Sequence, residues 1–187
     1  MTLSMPIAKA AAIMNEGGVI AYPTEGVFGF GCLPDSQEAV ERILAIKGRS
    51  IAAGLILIAA NIEQLQGWVI LPDGVDAQQL ECTLEKPVSW LLPAAPEVPY
   101  WIRGAHKTVA IRLTAHPVAR ALCIAAGSPL VSTSANESGR PPARNLHVLR
   151  RLFGERIDYF VPGETGTGGA SEIRDLSSGK ILRPGAA

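Results

Sequence analysis

The chain has 187 residues, 48% of them hydrophobic and 18% charged, with 17 basic and 17 acidic side chains and a formal net charge of +0. That is the profile of a globular protein with enough chain for one sizeable core, and it excludes a disordered segment. Charge balance also excludes indiscriminate nucleic-acid binding, which needs surplus positive charge to displace counterions, while leaving room for a local basic cleft.

Cys32, Cys82 and Cys123 lie far apart without the spacing of a zinc knuckle or a redox pair, so reduced thiols and a cytoplasmic location are expected. The first residues, Met1-Thr2-Leu3-Ser4-Met5-Pro6-Ile7, do not read as a secretory leader, and no apolar run approaches the roughly 20 residues that span a bilayer.

In chain order, Ile7, Ala10, Ala11 and Met14 recur at helical spacing before the stop Gly17-Gly18. Val19-Ile20-Ala21-Tyr22 reads as a buried strand ended by Pro23, and residues 24–32 as a loop whose glycines admit a ligand close to the backbone. Asp35 and Glu38 have capping-box spacing ahead of a helix with Ala39, Val40, Ile43 and Leu44 on its apolar face. Lys47-Gly48-Arg49 ends it. Cations there complement the helix dipole, and they also suit a phosphate clamp; the two readings are compatible.

Residues 55–60 are apolar on both faces, as in a central strand, and Asn61 with Gln64 caps a further helix. A helix is expected within 76–84, a strand at 88–92, and an irregular proline-rich surface connection at 93–104. Thr108-Val109-Ala110-Ile111-Arg112-Leu113 alternates, with Thr108, Ala110 and Arg112 on one face. An arginine inside such a strand requires either a structural ion pair or an anionic ligand in an open cleft.

Pro117 starts a helix through Ala126 that Gly127 stops. Leu130-Val131 then leads into Ser132, Thr133, Ser134, Asn136 and Ser138, a polar cluster that suits either a turn or a cradle for a small anion. Asn145 caps a helix over 146–153, residues 162–169 form a glycine-rich loop expected to be mobile, and 171–176 with 180–183 make a final hairpin. Intermingled strands and helices imply a single α/β domain over 1–187 with a twisted mixed parallel and antiparallel sheet, flanking helices and a concave cleft.

The sequence lacks a G-x-x-x-x-G-K-[ST] loop, a dinucleotide fingerprint and a G-x-S-x-G elbow. His106, His116 and His147 lack ligand spacing, and His116, before a proline, reads as structural. What remains is hydroxyls and isolated cations at element ends: Thr24, Thr108, Ser132, Ser134, Asn136 and Ser171 with Lys47, Arg49, Arg112 and Arg183. Such a set suits catalysis by positioning and charge neutralisation at a phosphorus centre.

Five segments resemble one known family when taken together. They are Tyr22-Pro23-Thr24-Glu25, Lys47-Gly48-Arg49, Thr108–Arg112, Ser132-Thr133-Ser134-Ala135-Asn136-Glu137-Ser138-Gly139 and Ser171–Leu176. In order and spacing they resemble the YrdC/TsaC family of L-threonylcarbamoyladenylate synthases, in its short single-domain bacterial form.

The resemblance implies a nucleotidyltransferase that uses L-threonine, bicarbonate or carbon dioxide, and ATP with magnesium. It would release pyrophosphate and initiate N6-threonylcarbamoyladenosine synthesis at position 37 of tRNAs reading codons that begin with adenine. Lys47, Arg49, Thr108, Ser134, Asn136 and Arg183 would hold ATP, with Lys47, Arg49, Ser134 and Asn136 as the catalytic group. Thr24, Arg112, Ser132 and Ser171 would hold threonine. Downstream threonylcarbamoyl-transfer proteins are the implied partners, and the alternative is an RNA-binding or ribosome-assembly module of the same fold. Ile58, where many relatives have a histidine, and the segment Leu84-Glu85-Lys86-Pro87-Val88-Ser89 depart from the family pattern.

Overall fold

The structure is a computed structural model that describes residues 4–143 and 145–185. Residues 1–3 of the N-terminal reading, and the outermost ends of the 1–187 domain, lie outside the described residues. The strands are β1 (Ile20–Pro23), β2 (Phe28–Gly31), β3 (Ile56–Ala59), β4 (Val88–Pro93), β5 (Thr108–Leu113), β6 (Leu130–Ser134), β7 (Tyr159–Phe160), β8 (Glu172–Asp175) and β9 (Ile181–Arg183). They form one mixed sheet in the order β7-β1-β2-β6-β3-β5-β4-β8-β9. The pairs β1–β7, β3–β5 and β4–β8 are parallel, and the remaining neighbours are antiparallel.

Strand periodicity sorts the apolar residues onto two faces. Ala21, Phe30, Leu57, Val109, Ile111 and Val131 face one way, under α2 (Gln37–Lys47) and α6 (Leu146–Phe153), which contribute Val40, Ile43, Leu149 and Phe153. Ile20, Tyr22, Ile58 and Leu130 face the other way, under α1 (Met5–Asn15) and α5 (Pro117–Ala126), which contribute Ile7, Met14, Ala119 and Leu122.

The second face is covered only in part. Past Ile58 and Leu130, the same face continues as Ile56, Thr108, Ala110, Ser132 and Ser134, and these side chains line an open cavity. The concave cleft expected from sequence is this uncovered half-face.

Several local expectations needed revision. Residues 24–32 contain β2 rather than being loop throughout, because pairing with β1 and β6 overrides the low strand propensity of a glycine-rich stretch. Gly31 is required there: a Cβ would lie 2.6 Å from the Val131 carbonyl and 2.7 Å from the Tyr22 ring. The capping box proposed from Asp35 and Glu38 is not formed. Ser36 is the N-cap of α2 and makes no side-chain cap bond.

Asn61 does accept from the Gln64 amide, but over a 3-10 turn, Glu63–Leu65. The helix expected within 76–84 is one turn, α3 (Ala77–Leu80), with a capping box from Asp76 and Gln79. The 93–104 connection contains the single turn α4 (Tyr100–Arg103) and buries Val98 and Ile102, so it is a packed element. The segment 162–169 is tied down by hydrogen bonds from Gly166 and Gly168 to the carbonyls of Thr24 and Glu25.

Replacing Gly31 by alanine should therefore strain the β1–β2–β6 junction and destabilise the fold by about 1–3 kcal/mol, the usual range for overpacking. Urea unfolding of the variant should show a lower midpoint with an unchanged slope; an unchanged midpoint would contradict the tight junction.

Candidate active site

The cavity on the half-bare face has a volume of about 360 Å³. Its wall is assembled from five places in the sequence. The β1–β2 turn brings Thr24 and Glu25, and the segment after α2 brings Arg49. β5 contributes Thr108 and Arg112, β6 contributes Ser132 and Ser134, and the C-terminal hairpin with its lead-in contributes Ser171 and Arg183. Eight of the ten residues singled out from sequence thus meet on one surface. Lys47 and Asn136 stand behind it.

Lys47 is buried at the end of α2, and its ammonium is shared among the Ser134 carbonyl (2.5 Å), the Asn136 carbonyl (2.9 Å) and Asn136 Oδ1 (3.2 Å). The Lys47 carbonyl accepts from the Ser138 amide at 2.8 Å. The Asn136 amide nitrogen donates to the carbonyls of Glu137 and Arg140. Helix end and polar turn are thereby one rigid unit, and the turn presents Ser134 to the cavity. Burial, with Arg49 nearby, lowers the Lys47 pKa to about 8.

Thr24 Oγ1 donates to the Val27 carbonyl at 2.6 Å, which closes the β1–β2 turn and leaves its oxygen lone pairs as acceptors. Gly26 sits where a Cβ would fall 1.8 Å from the Gly169 carbonyl oxygen, so this turn and the 162–169 segment cross in contact. Arg49 donates to the Gly54 carbonyl at 3.0 Å, and its Nε is buried without a partner.

Ser171 Oγ takes a bond from Ser89 Oγ at 3.0 Å, so Ser89, within the segment that departs from the family pattern, supports the site from below. Arg183 donates to the Ser171 carbonyl at 2.8 Å. Burial, then repulsion from Arg49 and Arg112, lowers the pKa of Arg183.

Arg112 has the structural ion pair that its sequence position allowed, a buried contact with Glu25, Nη2 to Oε2, at 3.3 Å, and it also lines the open cavity. Burial works to raise the Glu25 pKa, but Arg112 and hydrogen bonds from Thr114 and neighbouring backbone outweigh it and hold the carboxyl below the usual range.

Glu25, Arg103 and His106 also line the wall and were given no role by sequence. Glu25 stood inside a quoted motif, but nothing in a linear chain shows that residue 25 meets residue 112. His116 is structural, as expected, with Nε2 at 3.0 Å from the Glu164 carbonyl.

Among the described residues the wall carries four arginines, Arg49, Arg103, Arg112 and Arg183, against a single carboxylate, Glu25. A chain of zero net charge therefore holds a strongly cationic cavity rimmed with hydroxyls, a surface chemically matched to a polyanion. Among the described residues no three His, Cys, Asp or Glu side chains are grouped to hold a metal ion, and no helix is long and apolar enough to cross a membrane.

Comparisons with known proteins find relatives that match nearly the whole chain. A protein from Nitrosococcus oceani named threonylcarbamoyl-AMP synthase is 54% identical over 178 residues, covering 95% of this chain and 96% of that relative. One of the same name from Cellvibrio japonicus is 47% identical over 184 residues, covering 98% and 97%.

Among solved structures, P. abyssi Sua5 complexed with L-threonine superposes with a TM-score of 0.84 at 35% identity, covering 96% of this chain and 54% of Sua5. This chain thus spans about half of Sua5. E. coli YciO shares the fold, with a TM-score of 0.82 at 24% identity, covering 97% of this chain and 89% of YciO. The family model Sua5_yciO_yrdC, described as telomere recombination, matches residues 12–185, which takes in every element that walls the cavity, and the chain belongs to that family.

Proposed function

We propose that this chain is an L-threonylcarbamoyladenylate synthase, a nucleotidyltransferase that makes threonylcarbamoyl-AMP and pyrophosphate from L-threonine, bicarbonate or carbon dioxide, and ATP. The product serves N6-threonylcarbamoyladenosine formation at position 37 of tRNA. The observation that carries the reading is the convergence of four arginines and a rim of hydroxyls on one cavity of a chain whose formal net charge is +0. The full-length relatives that bear the synthase name, and the threonine complex of Sua5, support it.

The chemistry has two steps. The threonine amine takes up the carboxyl group of bicarbonate with loss of water, giving a carbamate. A carbamate oxygen then attacks the α-phosphorus of ATP, forming the new P–O bond as the bond to the departing pyrophosphate breaks. Neither step needs a covalent enzyme intermediate. The protein's contribution is to hold two anions together and offset their charge.

Arg112 serves as the partner of the threonine carboxylate, with Thr24, Ser132 and Ser171 around the rest of the amino acid. Arg49 and Arg183 face the phosphates, with Thr108 and Ser134 as hydroxyl contacts. Lys47 and Asn136 act on the nucleotide through the turn they brace. Magnesium enters as the counterion of the nucleotide substrate, because the single carboxylate on the wall is already committed to Arg112 and Thr114.

Pyrophosphate release by the purified protein should require threonine and bicarbonate together, and mass spectrometry should detect threonylcarbamoyl-adenylate. ATP turnover indifferent to threonine would sink the proposal. Arg112→Ala should raise the KM for threonine by about a hundredfold, the loss of a two-pronged charged contact, while changing the KM for ATP only slightly. Equal loss for both substrates would contradict the assignment.

A third expectation concerns pH. The Lys47 cation holds the turn, and its pKa of about 8 lies below that of a free lysine. A bound polyphosphate favours the cation, so ATP binding at pH 8 should take up protons. Affinity should then fall as pH rises through that value, by at most about tenfold per unit for one group. Calorimetry in buffers of different ionisation enthalpy measures the uptake, and Lys47→Arg should abolish it.

A further inference from the structure

Glu25 is the one acidic side chain on the cavity wall, and it is 1% exposed. Its Oε1 accepts from Thr114 Oγ1 at 2.6 Å, from the Ala115 amide at 3.0 Å and from the His116 amide at 3.4 Å. Those three donors come from the segment joining β5 to α5, so the carboxylate is clamped to rigid structure on one side. Its other oxygen lies 3.3 Å from Arg112 Nη2, an ion-pair contact without hydrogen-bond geometry, so that among the described residues neither this oxygen nor the buried Arg112 Nε has a hydrogen-bond partner.

Glu25 therefore holds the guanidinium by charge and does not spend its donors on hydrogen bonds to the carboxylate. A long arginine side chain held this way has already lost the rotamer freedom that ligand binding would otherwise cost. The carboxylate also compensates the charge of Arg112 in the ligand-free protein, where an unpaired buried cation would be destabilising.

We infer that Glu25 is a positioning residue for the substrate carboxylate: it holds the Arg112 guanidinium at the cavity wall by charge and leaves guanidinium donors for the ligand. The ligand's identity rests on the function proposed above; the positioning itself does not. The backbone of Glu25 adds a second link, because its carbonyl accepts from Gly168 at 2.9 Å. The residue that sets Arg112 thus also anchors the segment leading to Gly169, Ala170 and Ser171 on the opposite wall.

The test is Glu25→Gln, which keeps the shape and removes the charge. The KM for threonine should rise by about tenfold while the KM for ATP stays within about twofold, and the melting temperature should fall because the buried Arg112 loses its counter-charge. In 15N-arginine NMR spectra, the Arg112 Nη protons should show hindered rotation in the wild type and fast rotation in the variant.

Adding Glu25→Gln to Arg112→Ala should raise the threonine KM no further, since the effect runs through the guanidinium. Should Glu25→Gln fail to fold, Thr114→Val, which removes one clamp, should shift the threonine KM in the same direction by a smaller factor.

Parallel losses for both substrates would assign Glu25 a purely structural role and overturn the inference. So would an unchanged threonine KM in an active variant. If the wild-type protein makes no threonylcarbamoyl-adenylate, the proposed function fails. The NMR measurement still decides the positioning, and unaltered Arg112 rotation in Glu25→Gln would refute it.

Discussion

Arg112 lies between Ile111 and Leu113 in the interior of the sheet and is buried, so the fold must provide a counter-charge where strands normally present only apolar side chains. It does so with Glu25, at the β1–β2 turn, held in place by Thr114 and the backbone that follows β5. Much of the site is arranged around that pair. The turn that carries Glu25 also carries Thr24, and its backbone receives the 162–169 segment that leads to Ser171. The pair stands at the boundary between the half of the sheet face covered by α1 and α5 and the half left open.

The open half-face follows from strand periodicity combined with incomplete helix cover. Along β6, Leu130 lies under the helices while Ser132 and Ser134, two and four residues on, line the cavity. Along β3 the same passage runs from Ile58 to Ile56. The polar residues of these strands avoid unpaired burial because that part of the face opens into the cavity. Two arginines of the cationic wall are bonded to backbone carbonyls, Arg49 to Gly54 and Arg183 to Ser171, and behind the wall Lys47 bonds those of Ser134 and Asn136. Each of these cations is thereby placed, while the burial and the repulsion from Arg49 and Arg112 that lower the pKa of Arg183 are left for a bound anion to offset.

Lys47 illustrates how a residue type can be read correctly and its immediate contacts missed. Its position at the end of α2 suggested a phosphate clamp or a dipole cap. In the folded chain its ammonium has turned to the polar segment after β6 and is shared among oxygens of Ser134 and Asn136. Spacing along a helix cannot reveal this, because the acceptors lie about ninety residues away. The glycines of β2 show the same limit. Gly31 reads as a loop residue by propensity, yet it is there because the Val131 backbone and the Tyr22 ring leave no space for a Cβ.

By itself the sequence determined the elements whose signals are local. The alternation at Thr108–Leu113, the helical spacing and closing glycine of Pro117–Ala126, and the Asn145 cap of Leu146–Phe153 all follow from periods and caps written within a few residues. It also supplied the residue types of the site and, through five ordered motifs, the family. Tertiary structure alone decided which of those residues share a wall, that Glu25 is the counter-ion of Arg112, and that Lys47 and Asn136 brace the site from behind. The physical reason is that an ion pair or a cavity wall is a relation between strands brought together by sheet order, and β2, β6, β3 and β5 are neighbours in space but not in sequence.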